Sequence, residues 1–188
     1  MGEGKEIRLH LGAGKRKFPG FIHIDLCDYK HIDYKTSVDD LSMFNDSSVD
    51  YIYASHVLEY FDRDEVKKVL KEWRRVMKKG AKIRIAVPDF TKLLVVYRKY
   101  RNIEKVLGPI YGKMEIKTKN GKEILYHKTM YDYLSLARIL RKARFKKIKK
   151  YDWRNTIHKD YDDHSQAYIP HMRKNTGILI SLNMEAEK

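Results

Sequence analysis

The fold is decided by a short stretch near the start of the chain and by the carboxylate that follows it. The stretch reads Ile7-Arg8-Leu9-His10-Leu11-Gly12-Ala13-Gly14-Lys15, and a second apolar run, Phe21-Ile22-His23-Ile24, then ends on Asp25. Glycine carries no side chain, so a Gly-x-Gly turn after a strand lets a ligand approach the backbone closely. A carboxylate at the end of the next strand can accept hydrogen bonds from paired hydroxyl groups. The pattern therefore predicts a binding site where two neighbouring strands end.

Length and composition favour one globular domain. The chain has 188 residues, 43% of them hydrophobic, which suits a single sizeable core. No apolar run approaches the length of a membrane span, and the first residues lack the apolar core of a signal peptide, so we expect a cytoplasmic protein without a membrane span. Cys27 is the single cysteine, which excludes an internal disulfide framework and a cysteine-based zinc cluster.

The chain is strongly basic. It carries 40 Lys and Arg against 25 Asp and Glu, a formal net charge of +15, and such a surface attracts polyanions. The densest basic stretch runs from Arg138 to Lys150. Lysines on an edge strand also discourage aggregation, and no aromatic-interleaved RNA-binding motif is present. We therefore expect only weak polyanion binding through this basic surface.

Strand patterns alternate with helix patterns along the chain. Short apolar runs predict strands at Ile7–Leu11, Phe21–Asp25, Asp50–Ala54, Lys82–Val87, Phe145–Lys149 and Gly177–Leu182. Helical periodicity follows Tyr60, where Asp62 and Glu65 form a capping box and Gly80 is the expected stop. Two more helices are predicted over Phe90–Leu107 and Tyr131–Ala143. This order predicts one α/β domain, residues 1–188, whose sheet is parallel except for one antiparallel strand near its edge.

A β-hairpin is expected between the second and third helices. It runs from Met114 to Tyr126 and turns at Asn120-Gly121, a favoured pair for a two-residue turn. Its surroundings, residues 111–127, read as an insertion into the domain, and we expect this hairpin to contribute to acceptor selectivity.

Polar residues follow four of the predicted strands. Ligands of open parallel sheets bind outside the carboxyl ends of the strands. That rule collects Gly12–Lys15, Asp25, Ser55-His56 and Asp89 in one crevice, and the polar segment Tyr151–Pro170 begins at the same face. This convergence predicts a functional site more strongly than any single motif.

Several motifs resemble those of the class I S-adenosylmethionine-dependent methyltransferases, in particular the methyltransferase-11-like group. The resemblance covers about residues 6–150 and is carried by Leu9–Gly14, Asp50–Tyr60, Trp73–Ala81 and Arg84–Asp89. It implies a Rossmann-like, mostly parallel seven-stranded sheet with helices on both faces. The Gly-Lys-Arg pattern after Gly12 and the run Ser165–Met172 are similar to relatives in polysaccharide-assembly pathways.

The same resemblance implies which residues hold S-adenosylmethionine. Gly12, Ala13 and Gly14 would line its methionine moiety, with Lys15 near the carboxylate, and Leu11 before them would also belong to the cofactor site. Asp25 would hold the ribose, Asp40 and Leu41 would contact the adenine, and Ser55 and His56 would close over the sulfonium.

Three departures from the family pattern stand out. His10 replaces the usual acidic residue, and Arg16 replaces the third glycine. The interval between Gly14 and Asp25 is too short for the usual helix, so Lys15–Gly20 is predicted to be a loop.

Methyl transfer to a hydroxyl needs a group that accepts the proton. The candidate catalytic residues are Asp89, His56 and His164, in that order, and His127 is more simply structural. Asp89 has an alternative role as a helix N-cap, and His56 as a cofactor contact. The cluster from His158 to His164 has the ligand types for a divalent metal, but polar loops of this composition are usually metal-free, and we expect no metal.

The function favoured by these patterns is O-methylation of a sugar hydroxyl on a glycan or polysaccharide precursor, with a carbohydrate as acceptor. An RNA or protein methyltransferase is an alternative that the charge favours. The Asn/Asp-Pro-Pro-Tyr motif of base N-methylating enzymes is replaced here by Ala54-Ser55-His56-Val57. A non-catalytic cofactor-binding scaffold is a further alternative, motivated by His10 and Arg16.

Overall fold

The computed structural model describes residues 6–118 and 121–188. Its strands are β1 Arg8–Leu11, β2 Ile22–Asp25, β3 Tyr34–Lys35, β4 Val49–Ser55, β5 Met77–Pro88, β6 Met114–Thr118, β7 Gly121–Leu125, β8 Lys146–Lys150, β9 Tyr168–Ile169, β10 Ile178–Leu179 and β11 Ser181–Glu187. Its α-helices are α1 Glu65–Val76, α2 Phe90–Tyr100, α3 Glu104–Tyr111 and α4 Tyr133–Lys142.

Seven strands form one sheet in the order β3-β2-β1-β4-β5-β11-β8. Neighbouring strands from β3 to β5 are parallel, and β11 runs antiparallel to both β5 and β8. The prediction of a mostly parallel seven-stranded sheet with one antiparallel strand near the edge is thus confirmed. No helix in the described ranges is long and apolar enough to cross a membrane.

The main core lies between one face of the sheet and helices α1 and α4. Side chains alternate along a strand, so Leu9, Leu11, Ile52 and Ile83 all reach this face and are fully buried. Trp73 of α1 completes the core, and its indole Nε1 donates to the carbonyl oxygen of Val38 at 2.8 Å. The helix thereby fixes the loop that precedes β4.

The opposite face of the sheet is aromatic and polar. Tyr51 and Tyr53 of β4 pack there with Phe18, Phe21 and Tyr161, all of which come from loops. The described chain has no helix between β1 and β2, as predicted for residues 15–20. The link between β1 and β2 is too short to form a helix. Loops therefore cover part of this face, where the prediction placed helices on both faces.

Two predicted boundaries were wrong in the helical region. The helix predicted over Phe90–Leu107 is interrupted at Arg101, whose φ of 49° is left-handed, and the Asn102 side chain then accepts the N–H of Glu104 at 2.9 Å. Gly80 is not a helix stop: α1 already ends at Val76, and Gly80 lies within β5. The capping box is confirmed, since Asp62 and Glu65 exchange backbone-to-carboxylate hydrogen bonds of 2.8 Å.

The last strand was also predicted too early in the chain. The strand expected over Gly177–Leu182 is β11, Ser181–Glu187, while Ile178–Leu179 pairs with Tyr168–Ile169 in a separate small ladder. The strand extends to Glu187 because apolar and polar side chains alternate along it. Its apolar residues face the core, and Glu185 on the other face accepts a hydrogen bond from Arg84 Nε at 3.0 Å. The hairpin is present as β6 and β7, but Asn120 of its expected turn lies outside the described residues.

Candidate active site

A cavity of about 470 Å³ opens at the carboxyl ends of β1, β2 and β4. The glycine loop after β1 forms its floor, with Gly12, Gly14, Lys15 and Arg16. The β6–β7 hairpin forms one wall, and His164 of the 151–170 segment reaches it from another side. Three of the four predicted strand ends, those of β1, β2 and β4, thus meet in one cavity, whereas Asp89 after β5 does not line it.

The glycine loop and Asp25 are locked together by backbone hydrogen bonds. Gly12 and Gly14 have φ of 68° and 54°, the left-handed region that glycine adopts readily. The N–H of Gly14 donates to Asp25 Oδ2, and the N–H of Cys27 donates to Oδ1, each at 2.7 Å. A carboxylate offers about four acceptor sites, so these two bonds orient Asp25 and leave capacity for a diol.

The cavity has further features that fit S-adenosylmethionine. The hydroxyl of Ser55 is buried on the cavity wall and has no hydrogen-bond partner within the described residues. A Cβ added to Gly14 would meet no atom within 4 Å, so the space above this residue is open to a ligand. An unpaired hydroxyl, an oriented carboxylate and an open glycine backbone suit the amino-acid and ribose parts of this cofactor.

Six of the ten predicted cofactor residues line the cavity, namely Gly12, Gly14, Lys15, Asp25, Ser55 and His56. Leu11, at the end of β1, and Ala13, in the glycine loop, are buried and do not line the cavity. Asp40 is exposed, and Leu41 is fully buried in the core, so neither lines the cavity. Their predicted adenine contact stays a prediction.

Other cavity residues were not predicted. Ser37 and Val38 line the cavity, whereas Asp40, the predicted adenine contact shortly after them, does not. Leu26 and Tyr29 also line it and lie just after Asp25 in the sequence. Their nearness to Asp25 in sequence is the signal that could have found Leu26 and Tyr29. The hairpin adds an apolar wall made of Met114, Ile116 and Leu125, with the carboxylate Glu115 beside them.

His56 is held by protein partners on both ring nitrogens. Its backbone has a φ of 55°, which turns the side chain sharply at the end of β4. Nδ1 lies 3.2 Å from Oε1 of Glu59, and Nε2 lies 3.3 Å from Oγ of Ser181. Burial lowers the pKa of His56 to about 4, with Asp163 opposing and Arg16 adding to the shift. The imidazole is therefore neutral, and both of its ring nitrogens already have protein partners.

His164 lies opposite, and its ring is exposed in the cavity. The two imidazole centroids are 5.1 Å apart and the rings are nearly perpendicular. The described residues place no hydrogen-bond partner on the ring nitrogens of His164. Arg16 Nε donates to the carbonyl oxygen of Asp162 at 2.6 Å, which ties the 151–170 segment to the glycine loop. Desolvation, followed by the charges of His56 and Arg16, lowers the pKa of His164 below its ordinary value.

The remaining base candidates lie elsewhere. Asp89 is the N-cap of α2, where its side chain accepts the N–H of Lys92 at 3.3 Å, and it does not line the cavity. His127 lies under the hairpin, with Nδ1 3.0 Å from the carbonyl oxygen of Pro109. Of the three predicted catalytic residues, the structure brings His56 and His164 together at the cavity and leaves Asp89 in a helix cap.

The two unusual histidines on the other sheet face do not enter the cavity. His10, which stands where the family has an acidic residue, stacks on Phe18 with ring centroids 4.3 Å apart. Its side chain therefore belongs to the aromatic layer. His158 is buried against Tyr53 at 4.0 Å, away from His164. Within the described ranges no group of three potential metal ligands is brought together.

Comparisons with known proteins agree with this geometry. Residues 16–85 match a family model described as a methyltransferase domain. A search of curated proteins finds no match.

The fold is similar to that of solved methyltransferase structures. A SAM-dependent methyltransferase from Archaeoglobus fulgidus aligns with a TM-score of 0.59 at 16% identity, over 98% of this chain and 87% of that one. The 1,6-didemethyltoxoflavin-N1-methyltransferase of Burkholderia thailandensis, solved with its substrate and S-adenosylhomocysteine, gives 0.55 at 14% identity, over 97% and 70%. A Methanosarcina mazei SAM-dependent methyltransferase gives 0.55 at 18% identity, over 98% and 94%. The family match and this fold together support a class I S-adenosylmethionine-dependent methyltransferase, with S-adenosylmethionine as its cofactor.

Proposed function

We propose that the protein methylates a sugar hydroxyl of a glycan or polysaccharide precursor. The observation that carries the proposal is the His164 imidazole, which lines the same cavity as the residues assigned to the cofactor and has no hydrogen-bond partner among the described residues. S-adenosylmethionine supplies the methyl group from its sulfonium when bound. The protein supplies alignment of the acceptor and a place for the proton that the hydroxyl loses.

His164 is the proposed general base. A hydroxyl proton must pass to an acceptor during attack, and a neutral imidazole with a free lone pair serves that purpose. Both ring nitrogens of His56 already contact Glu59 and Ser181, so His56 supports His164 rather than replacing it. Asp89 is engaged at its helix cap.

A polyhydroxylated acceptor suits the rim of the cavity. Cationic and hydroxyl side chains line the cavity and can hydrogen-bond several sugar oxygens, namely those of Lys15, Arg16, Tyr29 and Tyr60. The resemblance of the Gly-Lys-Arg pattern and of Ser165–Met172 to relatives in polysaccharide assembly supports the same acceptor class.

The proposal is tested by the identity of the methylated atom. Purified protein is incubated with methyl-labelled S-adenosylmethionine and, separately, with oligosaccharides and sugar nucleotides, total RNA and a protein extract. We expect label in an alkali-stable methyl ether on a sugar oxygen. Label confined to amines, RNA bases or protein side chains would refute the acceptor assignment.

We expect the acid limb of the pH–rate profile to lie at unusually acidic pH. A base works in its neutral form, so kcat/KM decreases as pH falls through its pKa. Because the pKa of His164 lies below the ordinary imidazole value of about 6.5, the acid limb of the profile should lie below pH 6.5. A pH–rate profile checks this, and a midpoint at or above 6.5 would contradict the assignment.

Asp25→Ala should weaken binding of S-adenosylhomocysteine at least about tenfold, or about 1.4 kcal/mol, because the charged acceptor for the ribose is lost. Calorimetry measures the change, and Asp39→Ala, at an exposed site outside the cavity, is the control. Equal affinities for Asp25→Ala and wild type would remove Asp25 from the cofactor site. An absence of binding by the wild type would favour a scaffolding role without cofactor or catalysis.

The basic surface favours nucleic acid as a second candidate substrate. However, the basic stretch 138–150 lies on α4 and β8, and β8 is an edge strand separated from β4 by β5 and β11. We therefore expect only weak RNA binding that disappears near physiological salt. Filter binding across a salt series tests this, and a tight, salt-resistant complex would instead favour an RNA substrate.

A further inference from the structure

Beneath the cavity, the carboxyl group of Glu59 is completely buried between two histidines. It belongs to the short 3-10 turn Leu58–Tyr60, and neither of its oxygens receives a well-aligned hydrogen bond from the described residues. Oε1 lies 3.2 Å from Nδ1 of His56 and 3.8 Å from Nε2 of His127. A buried ionised carboxylate without donors is strongly unfavourable, so the location of protons around Glu59 determines its state.

The proton of His56 can be located from its neighbours. Asn183 Nδ2 donates to the carbonyl oxygen of Ser165 at 2.9 Å, which places Oδ1 of the same amide toward Ser181. Ser181 donates its only hydroxyl hydrogen to that Oδ1 at 2.9 Å. Its oxygen can then only accept from Nε2 of His56, so neutral His56 carries its proton on Nε2 and has a lone pair on Nδ1.

The proton of His127 is fixed in the same way. Its Nδ1 lies 3.0 Å from the carbonyl oxygen of Pro109, which can only accept a hydrogen bond. Neutral His127 therefore carries its proton on Nδ1, and Nε2 presents a lone pair to Glu59. Both imidazole nitrogens that face the carboxyl group are thus unprotonated and present a lone pair to it.

We propose that Glu59 is a protonated positioning residue, whose carboxyl O–H donates to Nδ1 of His56 and fixes the tautomer that points Nε2–H toward Ser181. An ionised Glu59 would face two lone pairs, whereas a protonated one satisfies the nearer of them. The imidazole rings of His56 and His164 lie against each other with centroids 5.1 Å apart, so the proton on Glu59 helps to hold the proposed base in place.

The electrostatic surroundings agree with a protonated carboxyl group. Burial raises the pKa of Glu59 to about 7, against the opposing effects of His127 and of the backbone N–H of Glu59 itself. Burial also lowers the pKa of both His56 and His127, which disfavours a cationic imidazole as the alternative partner. Tyr60 and Tyr131 are the other titratable groups beside Glu59, and their raised pKa values keep them neutral.

The direct test is spectroscopic and needs no acceptor. Isotope-edited infrared difference spectra of the full chain between pH 6 and pH 9 should show the carbonyl band of a buried carboxylic acid that disappears as pH rises. The band should be absent from Glu59→Gln and retained in Glu104→Gln, whose carboxylate is exposed at the start of α3. Nitrogen NMR of the wild type should show His56 protonated on Nε2. An ionised Glu59 at pH 6, or a proton on Nδ1 of His56, overturns the proposal.

The kinetic consequence rests on the proposed function. Above its pKa, Glu59 loses the proton that it donates, so acceptor turnover by the wild type should decline toward pH 9. Glutamine cannot ionise and still donates from its amide, so Glu59→Gln should keep near-wild-type kcat at pH 6.5 and lose this alkaline decline. An alkaline decline that persists in Glu59→Gln argues against the role of Glu59. Absence of sugar methylation with an intact infrared band would instead refute only the proposed function.

Discussion

His164→Gln should lower kcat for acceptor methylation by about 10²–10⁴-fold, the usual contribution of a positioned base. Glutamine keeps a polar side chain of similar reach but cannot accept the proton of an attacking hydroxyl. The affinity for S-adenosylhomocysteine should remain within about twofold, because the groups assigned to cofactor binding belong to the glycine loop and Asp25 and not to His164. Turnover kinetics and calorimetry on the same preparations separate the two effects.

A matched control is available a few residues further along the chain. His171 is also a histidine after the 151–170 segment, but it is exposed and lies outside the cavity. His171→Gln should retain wild-type kcat. Equal activity of His164→Gln and wild type would mean that the base lies elsewhere or that none is needed, and an amine acceptor would then be the better interpretation.

Gly12→Ala should destabilise the protein by about 2–5 kcal/mol. A left-handed backbone costs an L-residue about 1–2 kcal/mol, and overpacking adds about 1–3 kcal/mol. The overpacking arises because a Cβ at Gly12 would lie 2.1 Å from Cγ2 of Val57, a β-branched side chain with little freedom to move. Urea unfolding measures the change.

Gly14→Ala is the matched control for this prediction. Its backbone is also left-handed, with φ of 54°, but a Cβ there meets nothing within 4 Å. We therefore expect only the backbone cost of about 1–2 kcal/mol, together with weaker binding of S-adenosylhomocysteine because the methyl group occupies open cavity space. Equal stability of the two variants would show that the contact between Gly12 and Val57 is not tight.

The sheet could be predicted from sequence because its signals are local. Alternation and apolar runs predict six of its seven strands. The two-residue strand β3 leaves no such pattern, and the count of seven came from the family resemblance. The errors have one local and one tertiary cause. Arg101 ends α2 through its own left-handed backbone, and β11 begins at Ser181 because its ladder with β5 extends to Glu187.

The cofactor side of the site was more predictable than the catalytic side. Gly12, Gly14 and Asp25 belong to strand ends, whose positions the sheet imposes. The roles of Asp89, His56 and His164 depend on loop geometry: a cap bond to Lys92, the contacts of His56 with Glu59 and Ser181, and the bond from Arg16 to Asp162. None of these contacts leaves a periodic signal in the sequence, and Glu59 was therefore not predicted as part of the site.

The central claim is that the cofactor residues and His164 share one cavity. A crystal structure of the protein with S-adenosylhomocysteine tests it most directly. We predict the ribose hydroxyls on Asp25, the amino-acid part over Gly14, and the sulfur facing the open space beside the His164 imidazole. A cofactor bound outside this cavity, or a complex in which His164 points away from the sulfur, would contradict the account.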